Sequence, residues 1–191
     1  IALGVSTVIF VISIVMAIQF APIWGTSLDG FTSHVPWLNK LGVTLDLGVD
    51  SVAMMLVLLT TLLTPLCVLG SFSAITFRVK EYYAWLLILE TAMVGVFAAQ
   101  DLILFYVSFE LTLVPMFFLI AIYGGKNRAH ASIKFFIYTF TGSLFTLAGL
   151  LYVAWTYKET HLYDTWSFAI HDLAKFASTD LSATEQGWIL L

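Results

Sequence analysis

The sequence is short of charge. Lysine, arginine, aspartate and glutamate make up 10% of its 191 residues, where a water-soluble domain carries about a quarter. That is too little to coat a surface facing water. There is no basic run to attract a nucleic-acid backbone, and the formal net charge is only -4. The single cysteine, Cys67, excludes an intrachain disulfide and a cysteine-held iron–sulfur centre. Lying inside an apolar run, it reads as a small buried hydrophobe. No glycine-rich phosphate loop follows a strand pattern, so no nucleotide site is expected. His34, His130, His161 and His171 fall in loops or at loop edges, without the spacing of metal ligands. No cofactor or metal is expected in this chain.

What the sequence has is apolar length. Residues 1–20, 51–73, 83–100, 102–123 and 132–157 form five apolar runs, each near the roughly 20 residues needed to cross a hydrocarbon core. The first two hold no charged residue; the others hold one each, Glu90, Glu110 and Lys134. In lipid the backbone must satisfy its own hydrogen bonds, so the runs are predicted to be helices. The alternation of an outer-membrane barrel strand is absent. Residues 1–20 lack the basic start and small-residue cleavage site of a signal peptide. The expected fold class is all-α, a polytopic transmembrane helix bundle forming one membrane domain, with long loops at 21–50 and 158–186. The apolar stretch from Gly187 reads as the start of a further span. With no methionine at position 1, the chain is read as a piece of a longer protein.

Loop charges give the bundle a direction. Arg78 and Lys80 lie between the second and third runs; Lys126, Arg128 and His130 lie between the fourth and fifth. The two long loops are acid-rich. Because basic loops favour the cytoplasmic side, 21–50 and 158–186 are expected to be external, with Gln100-Asp101 a tight external turn. Trp24, Trp37, Trp155 and Trp166 fall near the external boundaries, where interfacial aromatics belong. Pro22 and Pro36 interrupt the first long loop, and residues 169–176 of the second have the pattern of a short amphipathic helix. Asp50 and Asp101 stand at helix starts as capping residues.

The charges inside the runs carry the chemistry. Glu110 sits about 13 Å from the external end of its run at 1.5 Å per residue. An acid at that depth must be paired, hydrated or protonated. Burial and a neighbouring cation act on a carboxyl in opposite senses, so a balanced one can exchange protons. Glu110 is the leading proton-relay candidate; the plainer alternative is a structural hydrogen bond to another helix. Pro115 leaves the Leu111 carbonyl without its helical donor, which permits a kink and water beside the acid. Pro65 does the same for Thr61, in a run that also carries Thr60 and Thr64; these hydroxyls either line a polar path or bond back to their own helix. Lys134, Tyr138 and Thr141 follow at helical spacing on one face, either as an inward polar stripe or as a helix end anchored by a snorkelling lysine. Gly142 and Ser143 are suited to close helix packing. Glu90, about 12 Å into its run, is divided between relay and structural roles.

The stretch from Asp101 through Glu110 to Pro115-Met116, followed by Ile122-Tyr123-Gly124-Gly125 and Ile133-Lys134-Phe135-Phe136-Ile137-Tyr138-Thr139, resembles the antiporter-like M subunit of complex I. The same family is called subunit 4 in mitochondria and the D subunit in photosynthetic NDH complexes. Val35-Pro36-Trp37 and Leu47-Gly48-Val49-Asp50-Ser51 are similar as well. The resemblance implies a full chain of about fourteen helices, of which this one spans the second to the sixth. It implies that Glu110 is the family's fifth-helix proton-channel glutamate and that Lys134 is its sixth-helix lysine. It implies partner lysines on the seventh and eighth helices, beyond this chain. The implied function is proton translocation as a subunit of an NADH–quinone oxidoreductase, with NAD, FMN, iron–sulfur clusters and quinone in partner subunits. Implied partners are other membrane subunits, including antiporter-like homologues, and the lipid bilayer. The expected location is a bacterial inner membrane, with mitochondrial inner and thylakoid membranes as alternatives. A subunit of a multi-subunit Na+/H+ antiporter and a non-transporting scaffold are the rival readings.

Overall fold

The computed structural model describes residues 1–20, 32–38, 43–160 and 166–179. Five helices in it are long and apolar enough to cross a membrane. They are α1 (Ala2–Phe20), α2 (Ser51–Ser71), α3 (Val79–Ala98), α4 (Leu102–Tyr123) and α5 (Arg128–Thr160). A sixth, α6 (Ile170–Thr179), is short, and a hairpin of β1 (Thr32–Leu38) and β2 (Val43–Gly48) lies between α1 and α2. Trp24, Pro22, His161 and the apolar stretch from Gly187 lie outside the described residues.

Consecutive long helices pack against each other, as short connections between antiparallel spans favour. Their seams are made of small residues. On α1 the buried positions are Ser6, Ser13 and Phe20, seven residues apart along one face. The Ser13 hydroxyl meets that of Thr61 on α2 at 2.7 Å. Between α3 and α4, a Cβ added at Gly95 would stand 3.1 Å from Ser108 Oγ, so glycine is what lets the two backbones approach. Helices in lipid gain little from burying grease and associate through such close packing and hydroxyl links. The large side chains point outward instead: Ile18, Val52, Met55 and Leu66 are exposed, a surface suited to hydrocarbon rather than water. Cys67 is exposed too, against its expected burial, because it stands at the edge of the α2–α3 seam, where the cavity there opens outward.

α3 and α4 form an antiparallel hairpin whose register can be read from its contacts. Gly95 meets Ser108, and ten residues further along each helix Trp85 stacks on Phe118 with centroids 4.5 Å apart. Glu90, midway between Trp85 and Gly95, is therefore level with Leu113. The turn joining the helices is held from both sides. Leu47 of β2 and Ala99 form an antiparallel bridge, and Gln100 N–H donates to Asp46 O at 2.8 Å. From the other side, Leu102 N–H donates to Phe168 O at 2.8 Å and Ile170 N–H to Gln100 O at 3.0 Å. Asp101 is fully buried there and caps α4, accepting from Ile103 N–H at 2.8 Å and Leu104 N–H at 3.2 Å. Asp50 caps α2 in the same way, accepting from Ala53 N–H at 2.6 Å. Capping accounts for both aspartates.

The hairpin replaces an irregular loop. β1 and β2 pair antiparallel, with a shift in register between Pro36 and Leu38, so the proline falls at the irregularity where a missing donor does least harm. The helix suggested at 169–176 is α6. Its Leu173 and Phe176 are buried against Val153 and Ala154 of α5, with Phe168 beside them. α5, at 33 residues, is about 50 Å long and outruns a hydrocarbon core of about 30 Å. Its charged ends, Arg128 and Lys158, lie outside the apolar stretch.

At the opposite end, Arg78 takes a left-handed backbone conformation (φ 49°) as α3 begins. Its guanidinium pairs with Glu81 at 2.7 Å, and its carbonyl accepts from the Tyr123 hydroxyl at 2.8 Å. Tyr82 packs edge-on against both Tyr83 and Tyr123.

Candidate functional site

Glu110 lies eight residues into α4, about 12 Å from its start, and is half-buried. The α4 surface carrying it faces α5, whose Ser143 hydroxyl donates to its carboxylate. The same hydroxyl lies 2.8 Å from Phe140 O of its own helix. From the sequence Ser143 is suited only to close helix packing. Its smallness brings the helices close, and its hydroxyl then reaches the acid.

One turn before Glu110, Tyr106 brings its phenol close to both Glu110 and Ser143. Sequence reasoning missed this residue, although its position four before the acid puts it on the same face. Tyr106, Ser143, Tyr138, Phe105 and Phe109 line an open cavity of about 470 Å³ over the α4–α5 seam. The cluster has what a proton relay requires: a carboxyl, a phenol and a hydroxyl within reach of one another, and room for water.

The structure brings together only part of the expected set. Tyr138 lines the α4–α5 cavity, which Tyr106 and Ser143 rather than Glu110 itself border, but is 76% exposed. Lys134 and Thr141 are exposed and do not line that cavity. Glu110 has no ion-pair partner among the described residues. Pro115 is fully buried inside α4, which runs unbroken from Leu102 to Tyr123.

Glu90 belongs to a different seam. It is 3% exposed and faces α2, where Thr64 lies against it. The Thr64 hydroxyl bonds back to Thr60 O at 3.0 Å, and in that arrangement it turns its lone pairs to the carboxyl. Neither Glu90 oxygen has a hydrogen-bond partner. Because α3 starts at Val79, rather than at 83 as its apolar run suggested, Glu90 is about 16 Å into its helix, deeper than expected. No group of three or more histidine, cysteine, aspartate or glutamate side chains that could hold a metal occurs among the described residues.

Residues 99–187 match the family described as NADH:quinone oxidoreductase/Mrp antiporter, transmembrane. NADH-quinone oxidoreductase subunit M of Rickettsia conorii is 41% identical over 143 residues, covering 74% of this chain and 28% of that protein. NADH-ubiquinone oxidoreductase chain 4 of Chondrus crispus is 35% identical over 175 residues, covering 91% of this chain and 35% of that one. The chain thus spans about a third of the length of the curated relatives it matches. Respiratory complex I from Thermus thermophilus contains a chain of the same fold, with a TM-score of 0.77 at 24% identity, covering 98% of this chain and 36% of that one.

Proposed function

The chain belongs to the NADH:quinone oxidoreductase/Mrp antiporter membrane family, and from that premise we propose that it is part of a proton-translocating subunit of an NADH–quinone oxidoreductase. The observation that carries the proposal is Glu110, an acid near mid-membrane that accepts from a hydroxyl of the next helix beside the Tyr106 phenol. An acid held there is costly unless it is paired, hydrated or protonated, and such residues within spans mark proton pathways.

In this reading the chain performs no redox chemistry. Partner subunits carry NAD, FMN and iron–sulfur clusters and reduce quinone. Their turnover alters the charge near Glu110 through a cationic side chain supplied by the rest of the protein. Withdrawing a cation from a carboxylate favours proton uptake, and returning it favours release. Ser143 and Tyr106 position the carboxyl and hold water against it, so that uptake and release occur at one place. Lys134 serves the path from the outer face of α5. The loops carrying Arg78, Lys80, Lys126 and Arg128 face the cytoplasm, and the membrane is a bacterial inner membrane.

The test is Glu110→Gln in the assembled complex, in sealed membrane vesicles, reading protons moved per electron passed to quinone. The amide keeps the shape and cannot carry the proton. A proton-to-electron ratio falling well below wild type with assembly intact is expected. An unchanged ratio with normal assembly would falsify the relay. A Na+/H+ antiporter subunit is the rival within the same family; co-purification without flavin or iron–sulfur subunits would favour it.

A further inference from the structure

We propose that Glu90 is a second proton-exchange site, reached from the Arg78–Lys80 end of the bundle along a polar stripe on α2. The proposal rests on reading the chain as part of a proton-translocating subunit, but on none of the residues around Glu110.

The first observation is the carboxyl itself. It is almost wholly buried, without a hydrogen-bond partner, and lines a cavity of about 260 Å³ between α2 and α3 with Thr60, Thr64 and Cys67. Both threonine protons are spent on their own helix: Thr60 donates to Leu56 O at 2.9 Å and Thr64 to Thr60 O at 3.0 Å. In that arrangement the polar groups lining the cavity, apart from the weakly donating Cys67 thiol, face the carboxyl as acceptors. A carboxylate, which also only accepts, finds no strong donor among them. A carboxylic acid does better, because its O–H can donate to Thr64 Oγ1, whose lone pairs are free. The site suits a proton-bearing Glu90 and offers little to a bare anion.

The second observation is a path. Thr64, Cys67 and Ser71 fall within about 60° of one another at 3.6 residues per turn and run from the level of Glu90 toward the Arg78 end. Ser71 is buried at the end of α2, and its hydroxyl reaches the Tyr83 hydroxyl of α3 at 3.3 Å. Ser71 and Tyr83 thus stand near Arg78 and Lys80, and Glu90 stands at the inner end. The cavity starts at Cys67 and Leu86, passes Glu90 and runs on to Leu56 and Phe97, so Ser71 and Tyr83 stand beyond its near end, and Thr64 and Cys67 bridge from there to the carboxyl. In the exchange step a proton from water at the basic end adds to a carboxylate oxygen of Glu90, and the reverse step returns it. One O–H bond forms or breaks, and nothing is oxidised.

Among the described residues no other titratable group competes for the proton at this level. α1 has no titratable side chain, and α2 has only Cys67. On α4, Tyr106 and Glu110 turn toward Ser143 of α5, and Tyr123 is bonded to Arg78 O at the far end.

The test uses the assembled complex with the full chain in sealed membrane vesicles. An apolar carbodiimide attacks protonated carboxyls from the lipid phase. We expect a mass-resolved adduct at Glu90 and a lower proton-to-electron ratio in Glu90→Gln. Ser71→Ala combined with Tyr83→Phe should lower the ratio in part and leave the adduct. If Glu90→Gln does not assemble, Glu90→Asp carries the ratio measurement, with a lower value expected. Absence of an adduct in the wild-type complex overturns the proposal. So does an adduct accompanied by a wild-type ratio, which makes Glu90 a structural acid. Protection of Glu90 by sodium but not potassium also overturns it, because the site would then hold a metal cation. The adduct reads Glu90 alone, whereas Glu110→Gln reads whether the subunit moves protons, so the two failures are separable.

Discussion

Glu90 and Glu110 sit on the two arms of one helical hairpin and meet opposite surroundings. Glu110 is half-buried and accepts from Ser143 across the α4–α5 seam. Glu90 is nearly fully buried on the α2–α3 side and accepts from nothing. The difference lies in what the facing helix can spare. Thr60 and Thr64 of α2 bond back to Leu56 O and Thr60 O, whereas Ser143, which also lies against Phe140 O, reaches the Glu110 carboxylate as well. Two acids of similar depth can thus be prepared for different states by the hydroxyls opposite them.

The sharpest break in this comparison is Glu110→Gln, expected to cut proton translocation at least about tenfold, a barrier change of about 1.4 kcal/mol or more. Proton release per electron in vesicles measures it. Next is Gly95→Leu. With Ser108 Oγ 3.1 Å from the added Cβ alone, the larger side chain forces the arms apart, at a cost of about 1–3 kcal/mol. Earlier thermal dissociation of the assembled complex should report it, and both acids should lose function together. Asp101→Ala removes the acceptor of two α4 amides and should cost about 1 kcal/mol, read as a smaller shift in the same melt. Smallest is Ser143→Ala, which removes one hydroxyl donor from Glu110 and leaves the Tyr106 phenol beside it. Losing one such bond is worth about 1 kcal/mol, so translocation should fall about two- to fivefold with assembly unchanged. A Ser143→Ala loss as large as that of Glu110→Gln would mean that the hydroxyl itself carries the proton.

The long helices were legible because lipid imposes one rule on every residue of a span. Each lies over an apolar run, and their starts differ only where charged residues join the first turns. α3 takes in Lys80 and Glu81, and α5 begins at Arg128; hydropathy drops such residues, but helical hydrogen bonding does not. The β-hairpin was hidden by Pro36, a strand breaker that the fold tolerates at a shift in register. At the site, the acids announced themselves through the cost of burying charge. Their neighbours did not: Ser143, Tyr106 and Thr64 are ordinary span residues whose roles depend on which helix lies opposite. Lys134, Tyr138 and Thr141 show the limit of spacing as a guide. They share a face of α5 as spacing required, yet that face lies open, with only Tyr138 at the cavity rim.

The clamped turn at Ala99–Asp101 has an electrical consequence. Bonded from β2 on one side and from Phe168–Ile170 on the other, it keeps α3 and α4 from sliding past each other. In the observed register Glu110 stays about 5 Å nearer that turn than Glu90. Against a core of about 30 Å, this offset is about a sixth of the membrane field. A charge displaced through it gains or loses about 0.4 kcal/mol per 100 mV. The turn thereby fixes the voltage sensitivity of any proton difference between the two acids, with no moving part.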